Sequence, residues 1–440
     1  MKNLTYPNLM KKAWPIILAN ASVPLLGIVD TAVIGNTGSI PDLGAIALGS
    51  LIFSFVYWSF GFLRMGTTGF AARAAGRGDE EEIRAVLGRS ILMGTCLGIV
   101  LIFLQYPIGN LSFLLLSGSK EVESLASTYF YIRIWGAPAT LCTFAVTGML
   151  IGLGRSKRLL WLQLTLNGLN IALDILFAGI LGYGAEGIAM GTLVAEWLTL
   201  FLAIHWIIQE LQQRRKDEGL FWPKALILDP NKLKSTMVAN FDIMIRTLLL
   251  VCSFGWFTNQ SAQYGNDVLA ASHILLQLIS FSAFFLDGYA FVAEALVGQA
   301  LGAKDKLTFD EAVGKTTFIA FVTAVCLGLS ILLAGDFLVA ALTDLLIVRE
   351  KASEMIWLAA IYVMISFGAF QLDGIFIGAS ATKQMRNSAL ISTASFLAAW
   401  WPLSSIWGVF GLWYSFIFYL TMRAFSLLIF YPALRRSATQ

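Results

Sequence analysis

The sequence carries little charge and few of the residues that do chemistry in soluble proteins. Only 13% of its 440 residues are Asp, Glu, Lys or Arg, whereas soluble domains carry roughly 25%. The four cysteines and two histidines are not spaced as metal ligands or as a disulfide framework. The sequence also has no phosphate-binding loop of the P-loop type. These absences argue against a soluble enzyme, a metal site and an ATP-driven pump built on this chain alone.

Apolar residues are abundant, at 58% of the chain. A transmembrane helix needs about 20 consecutive, mostly apolar residues, and twelve stretches meet that requirement. They span approximately 13–36, 44–72, 88–109, 123–152, 159–181, 186–209, 237–262, 268–298, 315–341, 354–380, 388–408 and 411–433. The sequence therefore predicts an all-α polytopic membrane protein with twelve transmembrane helices.

The distribution of Lys and Arg predicts how the chain crosses the membrane. With the N-terminus in the cytoplasm, the outside loops carry only Lys120, Arg349 and Lys351. This asymmetry predicts that both termini are cytoplasmic. Four arginines fall within spans and need a partner or a route to the interface: Arg64, Arg133, Arg246 and Arg423. Asp242 and Arg246, at i and i+4, are expected to form an internal ion pair.

A polar, basic segment divides the chain into halves. We predict a first lobe of six helices over residues 1–210, a cytoplasmic linker over 211–236, and a second lobe of six helices over 237–440. The halves match at an offset of 226 residues, as in Gly148–Gly152 and Gly374–Gly378. Because six crossings return the chain to the same side, a pseudo-two-fold axis along the membrane normal is expected to relate the two bundles.

The fifth predicted helix has a polar face. Gln163, Asn167, Asn170 and Asp174 follow one another at steps of four, three and four residues, which places them on one side of a helix. An ionisable residue at bilayer depth is costly and normally faces a bundle interior or a watery cavity. We interpret the face as one wall of a transport cavity. A stripe that only joins helices by hydrogen bonds is the alternative.

A second carboxylate, Asp30, lies in the first predicted helix at a depth comparable to that of Asp174. Two carboxylates in one low-dielectric pocket repel when both are ionised, so such a pair can take up a proton. Thr192 and Tyr129 lie at a similar depth, and Glu196 is one turn from Thr192. We predict a network around the two aspartates that Glu196 extends.

Two prolines interrupt the backbone hydrogen bonding of the first helix, Pro15 and Pro24. Each removes one bond and allows a kink. A hinge beside a titrating carboxylate would serve coupling, and a static kink that improves packing is the alternative.

The second half does not repeat the two aspartates, because their counterparts at the 226 offset are Trp256 and Trp400. It has intramembrane acids of its own, Asp287, Glu294 and Asp373. These acids either line a substrate or cation cavity or pair with the buried arginines.

Several runs resemble a known family. VPLLGIVDTAVIG around Asp30, FLRMGTTGFAARAAG in the second helix, and FDIMIRTLLL followed by FFLDGYAFVAEALVGQALGA are similar to the DinF branch of the multidrug and toxic compound extrusion (MATE) transporters. The resemblance covers essentially the whole chain. It implies the MATE fold and a secondary antiporter that exports organic, often cationic compounds against an inward flow of protons or sodium ions.

The resemblance also implies roles for individual residues. The cation-coupling aspartate of the family matches Asp30, and its partner matches Asp174. The residues matched around them are Asn170, Thr192 and Tyr129, and the bent-helix proline matches Pro15. Asp373 matches the aspartate of a sodium-coupled branch, but the acidic helix-seven partner of that site has no secure counterpart. Proton coupling is therefore preferred, with sodium coupling as the alternative.

Together these observations predict a proton-coupled antiporter for organic, amphipathic compounds that works by alternating access, a multidrug efflux protein of the bacterial inner membrane. We expect no enzyme activity, no cofactor and no metal site. The expected partners are small organic substrates and the lipid bilayer, without nucleic acid, and the expected oligomeric state is a monomer. A flippase for a lipid-linked or amphipathic substrate is the alternative function.

Overall fold

The computed structural model describes residues 4–116, 119–215 and 219–438, which are helical and contain no strand. The predicted linker includes residues 216–218, which lie outside this part. The helices are α1 (Tyr6–Thr37), α2 (Ile40–Ser59), α3 (Phe62–Arg77), α4 (Glu80–Phe103), α5 (Gln105–Leu115), α6 (Lys120–Arg133), α7 (Ala137–Gly152), α8 (Ser156–Asp174), α9 (Gly184–Arg214), α10 (Lys224–Ile227), α11 (Pro230–Ala262), α12 (Asn266–Gly302), α13 (Lys306–Leu342), α14 (Leu346–Gly378) and α15 (Thr382–Ser437).

Eleven helical segments in the described ranges are long and apolar enough to cross a membrane. The last of them, α15, is 56 residues long and contains a break at Gly408, where φ is 57° and ψ is −130°. Glycine occupies this left-handed conformation without steric cost. Both parts of α15 exceed the roughly twenty residues that a span needs. The predicted twelve crossings are thereby confirmed.

Three of the crossings are not continuous α-helices. The second consists of α2 and α3, and the fourth of α6 and α7 joined by a 3₁₀ turn at Ile134–Gly136. The fifth is α8, which passes into a π-helical turn at Ile175–Ile180. A π-helical turn inserts extra backbone into a helix and is frequent at functional sites. Hydropathy alone did not predict these breaks, because the apolar sequence runs through them.

The sequence repeat corresponds to a repeated helix crossing. Gly148 and Gly152 of α7 lie against the backbone carbonyls of Arg64 and Thr68 on α3, so closely that a Cβ on either glycine would overlap an oxygen atom. Gly374 and Gly378 of α14 lie in the same way against Ala290 and Glu294 on α12. All four contacts keep the 226-residue offset. Glycines four residues apart let two membrane helices approach closely.

The loops before α4 and α13 also repeat. Asp79 caps α4 by accepting a hydrogen bond from the Glu82 N–H at 2.9 Å, and Asp305 caps α13 from the Thr308 N–H at 3.0 Å. The hydrogen bonds from Thr308 lower the pKa of the Asp305 carboxyl. The repeated loop therefore sets where each following helix begins.

The chain forms two compact units. The first unit is Leu18–Met237, and the second unit contains Met1–Ile17 and Val238–Gln440. Both unit boundaries fall inside a helix, α1 in one case and α11 in the other. The lobes predicted from the sequence, 1–210 and 237–440, differ from these units at the start of the chain. They place all of α1 in the first half, whereas its residues up to Ile17 belong to the second unit.

A side chain of the same unit donates a hydrogen bond to the segment just before each of these helices, which for α11 is the short helix α10. Lys315 donates a hydrogen bond to the Leu4 carbonyl in the second unit. At the equivalent repeat position in the first unit, Arg89 donates to the Leu226 carbonyl at 2.7 Å. A pattern of hydrophobic runs does not reveal such contacts, because it shows the length of a helix but not its neighbour.

Candidate functional site

The structure brings Asp30 of α1 and Asp174 of α8 together in the first unit. Their side chains are close enough for the two carboxyl groups to interact directly. Asp174 is 0% exposed and Asp30 is 9% exposed. Asp174 is the last residue of α8, where the α-helix passes into the π-helical turn.

Close packing of α9 holds Asp174 in place. A Cβ on Gly191 would overlap Oδ1 of Asp174, and a Cβ on Gly187 would lie 2.8 Å from the Phe177 carbonyl carbon and the Ala178 nitrogen. The two glycines are four residues apart, the spacing that permits close helix contact. This motif was a usable sequence signal that the analysis of polar residues missed.

The acid pair has few hydrogen-bond donors. Among the described residues, three of the four carboxyl oxygens have no hydrogen-bond partner: both oxygens of Asp174 and Oδ1 of Asp30. A buried carboxylate without a donor or counter-ion is costly. Two facing carboxyls gain a hydrogen bond when one of them is protonated, because a protonated carboxyl becomes a donor. The arrangement is suited to holding a proton.

The rest of the polar face on α8 forms hydrogen bonds within the helix and to α1 and α9. Gln163 donates to Asn167 Oδ1 at 3.0 Å, and Asn167 donates to Ser22 Oγ of α1 at 2.9 Å. Asn170 donates to Thr192 Oγ1 of α9 at 2.9 Å. The predicted face therefore contains both a titratable pair and hydrogen bonds that join helices. Ser22 is a member that the sequence analysis missed.

Arg133 joins two of the predicted residues. Its guanidinium donates to the Tyr129 hydroxyl at 3.0 Å and to Glu196 Oε1 at 3.2 Å. It also lies 4.6 Å from the centre of the Phe53 ring. In the described contacts, Tyr129 and Glu196 are linked to the aspartates only through this arginine. Its positive charge is near enough to interact with both carboxyl groups. Sequence reasoning identified Arg133 as needing a partner but did not place it here.

Helix α1 continues without a break through Pro15 and Pro24. Pro15 lies just before the position at which α1 passes from the second unit to the first. Of the two prolines of the predicted hinge, Pro15 lies near a unit boundary and Pro24 lies inside the first unit.

Asp373 in the second unit is paired with two arginines. Arg246 of α11 and Arg423 of α15 both donate to its Oδ2 atom, and all three side chains are buried. Of the two alternatives for the acids of the second half, pairing with the buried arginines is the one that holds for Asp373. The expected Asp242–Arg246 ion pair was wrong, since Asp242 instead accepts from Arg386 Nη1 at 2.7 Å and from Thr382 Oγ1 at 3.1 Å.

The other two acids of the second unit lie on α12. Glu294 is 1% exposed, and Asp287 is partly buried. Both interact with other groups of the protein. Within the described ranges, no group of three or more His, Cys, Asp or Glu side chains is placed to hold a metal ion.

The arrangement of helices and acids agrees with a comparison to known families. The MatE family model matches residues 15–176 and 243–399, one segment in each half. The chain belongs to the MATE family. MATE proteins are multidrug efflux transporters, so this MATE protein is a membrane transporter and not an enzyme.

Individual relatives support the same assignment. The chain is 32% identical over 415 residues to the DNA damage-inducible protein F of Escherichia coli K12, covering 94% of this chain and 89% of that protein. A crystal structure of MATE in the bent conformation is similar with a TM-score of 0.87 and 17% identity, over 98% of this chain and 96% of the other. A crystal structure in the straight conformation gives a TM-score of 0.85 at 17% identity, over 98% and 95%. These structures show that the fold is the MATE fold.

Proposed function

We propose that this MATE protein is a secondary active antiporter that exports organic, often cationic and amphipathic compounds in exchange for protons. It works by alternating access. It is a monomer in the bacterial inner membrane, and both of its termini are in the cytoplasm. The observation that carries this proposal is the buried pair of Asp30 and Asp174. Most of its carboxyl oxygens have no hydrogen-bond donor among the described residues. Such a pair gains most from binding a proton.

A feature of the second unit favours coupling to protons rather than to sodium ions. Asp373, at the position where the sodium-coupled alternative would place the ion, already receives two guanidinium groups. Arginine stays charged at every pH of transport. A sodium ion would have to displace two fixed cations to use this carboxylate.

In the proposed cycle, a proton from outside binds the acid pair. Asn170 and Thr192 belong to the coupling site, and Tyr129 is linked to it through Arg133. The network extends to Glu196, Asn167 and Gln163. Loss of charge repulsion between the carboxyls lets α1 bend at Pro15 and Pro24, which shrinks the cavity of the first lobe and releases substrate outward. The proton leaves when the protein faces inward. The lobes of this cycle are residues 1–210 and 237–440, with 211–236 as their linker.

The test is efflux of a fluorescent organic cation from proteoliposomes under separately imposed proton and sodium gradients. We expect the proton gradient alone to drive efflux in the natural protein. The variant Asp30→Asn is expected to lose this drive. Asp344→Asn is the matched control, because Asp344 is a fully exposed acid that pairs with Arg349. Sodium-driven efflux, or full proton-driven efflux by Asp30→Asn, would refute the proposal.

A flippase for an amphipathic, lipid-linked substrate is the second candidate, and one observation favours it. An open groove of about 360 Å³ lies between α1 and the π-helical turn, and its lining includes Val29 and Ile175, the sequence neighbours of the two aspartates. Its lining is mainly apolar and includes Ile28, Val33 and Ile175, which suits an acyl or prenyl chain. Accumulation of a labelled lipid precursor in a deletion strain, without a defect in cation efflux, would favour this function.

A further inference from the structure

Arg133 occupies a break in the fourth crossing, beside the proposed coupling pair. It is the last residue of α6, directly before the 3₁₀ turn Ile134–Gly136. Its side chain is only 13% exposed. A buried cation at this depth is costly and needs a compensating charge. Neither the proposed cycle nor the sequence motifs assign it a role.

Glu196 of α9 supplies part of that compensation. One of its carboxyl oxygens accepts from Arg133 at 3.2 Å. The other lies where a Cβ on Gly136 would be, so the glycine of the 3₁₀ turn makes room for the carboxylate. Glu196 is one turn from Thr192, which receives the hydrogen bond from Asn170. The ion pair and the acid pair are thus connected to the same face of α9.

The charged and titratable groups around the arginine come from five helices. They are Tyr57 of α2, Tyr129 of α6, Glu196 of α9, Asp30 of α1 and Asp174 of α8. Besides the two aspartates, Arg133 and Glu196 are the oppositely charged residues of this group, and they form an ion pair with each other.

The balance of these charges changes when the acid pair releases its proton. The pair then carries one more negative charge in a poorly solvated site, and a nearby cation is what offsets it. Arg133 is always charged, but Glu196 already neutralises it in part. The strength of the Arg133–Glu196 ion pair determines how much positive charge remains for the aspartates.

We propose that Arg133 and Glu196 are positioning residues whose ion pair sets the pH at which Asp30 and Asp174 exchange their proton. The inference rests on the proposed proton coupling. It gives opposite signs for the two partners. Removing the positive charge favours the protonated pair and moves the pH midpoint of transport upward. Removing the negative charge leaves Arg133 free to stabilise the ionised pair and moves the midpoint downward.

The experiment measures the pH midpoint of proton-driven cation efflux in proteoliposomes. An opposite charge close to a carboxyl changes its proton affinity by about one pH unit or more. We therefore expect Glu196→Gln to shift the midpoint about one unit to lower pH and Arg133→Gln about one unit to higher pH. The double variant has the same net charge as the natural protein, and its midpoint should return close to the original value.

Two further variants separate charge from structure. Arg133→Lys keeps the charge but not the planar guanidinium, so its midpoint should stay close to the natural value even if its maximal rate falls. Arg349→Gln is the control: this residue lies in the first turn of α14 and pairs with the fully exposed Asp344 of the second unit, so it should not move the midpoint. If Arg133→Gln does not fold, Glu196→Gln and Arg133→Lys still decide the question.

The inference and the proposed function fail in different ways. If the natural protein is proton-driven and Asp30→Asn is not, but folded Glu196→Gln keeps the natural midpoint, then only the role of the ion pair is overturned. The same holds if Glu196→Gln shifts the midpoint upward. If the natural protein does not respond to a proton gradient, the proposed function itself is wrong.

Discussion

The two halves of the chain place different chemistry at equivalent positions. Asp30 and Asp174 face each other in the first half, and their counterparts Trp256 and Trp400 also contact each other in the second. The two indole rings are 5.2 Å apart at an angle of 90°, an edge-to-face pair. The repeat has therefore kept the contact between two helices while replacing carboxyls with aromatic rings. The two halves share the arrangement of their helices but not the residues of the candidate site.

The surroundings of these pairs differ in the same way. Asn170, which donates to Thr192 in the first half, corresponds to Phe396, which packs 6.0 Å from Phe416. Phe416 in turn stacks on Phe257 at 4.4 Å. The second half thus has an aromatic core where the first half has a polar network. The comparison suggests that one half supplies proton binding and the other a packed support, and three substitutions test it.

The largest expected effect is on the paired carboxylate of the second half. Arg246→Gln removes one of the two cations from buried Asp373, and breaking a buried ion pair is expected to lower stability by about 3 kcal/mol. Thermal unfolding in detergent measures this loss. Arg435→Gln is the matched control: in its ion pair with Asp310 the two side chains are 49% and 31% exposed, so a smaller loss is expected. Equal losses would show that Asp373 is not specially dependent on its arginines.

An intermediate effect is expected where α9 meets the acid pair. Gly191→Ala puts a Cβ where Asp174 Oδ1 lies, and such overpacking is expected to lower stability by about 1–3 kcal/mol. Proton-driven efflux should fall as well, because the carboxyl must move. Gly168→Ala on α8 is the control, since nothing lies within 4 Å of its added Cβ. Unchanged stability and efflux in Gly191→Ala would mean that the contact does not position Asp174.

The smallest effect is expected for the hydrogen bond between α8 and α1. Asn167→Ala removes the donor to Ser22, and interhelical hydrogen bonds in membranes contribute on average about 0.6 kcal/mol. We expect a slight loss of stability and no change in the pH midpoint of efflux. A shift of that midpoint would instead mean that Asn167, in the outer part of the proposed network, influences proton binding itself and does more than join two helices.

Much of the fold followed from the sequence because long apolar runs fix the number of crossings. The glycine motif that recurs at the 226-residue offset also revealed the repeat, since close helix contact requires glycines at that spacing. The meeting of Asp30 and Asp174 was predictable because both are charged at the same depth, where few arrangements are tolerable.

What the sequence did not reveal depends on contacts between distant segments. Asp242 and Arg246 are neighbours on one helix, yet each finds a stronger partner on another: Arg386 on α15 for Asp242 and Asp373 on α14 for Arg246. Arg133 was recognised as a charge in need of a partner, but only the packing of α6 on α9 identifies Glu196. Side-chain partners of this kind are chosen by tertiary structure and not by spacing.

The tryptophans of the second half also bear on the energy available for export. Because indole rings do not bind or release a proton near neutral pH, only the two carboxyls of the first half could load protons at this pair of equivalent positions in the proposed cycle, and they hold at most two. One proton exchanged for one monovalent cation moves no net charge, so a tenfold concentration ratio requires about one pH unit. Two protons move one net charge, and each 100 mV of membrane potential then adds about 2.3 kcal/mol. In the proposed antiport, the number of protons shared by Asp30 and Asp174 would thus decide whether voltage contributes to export.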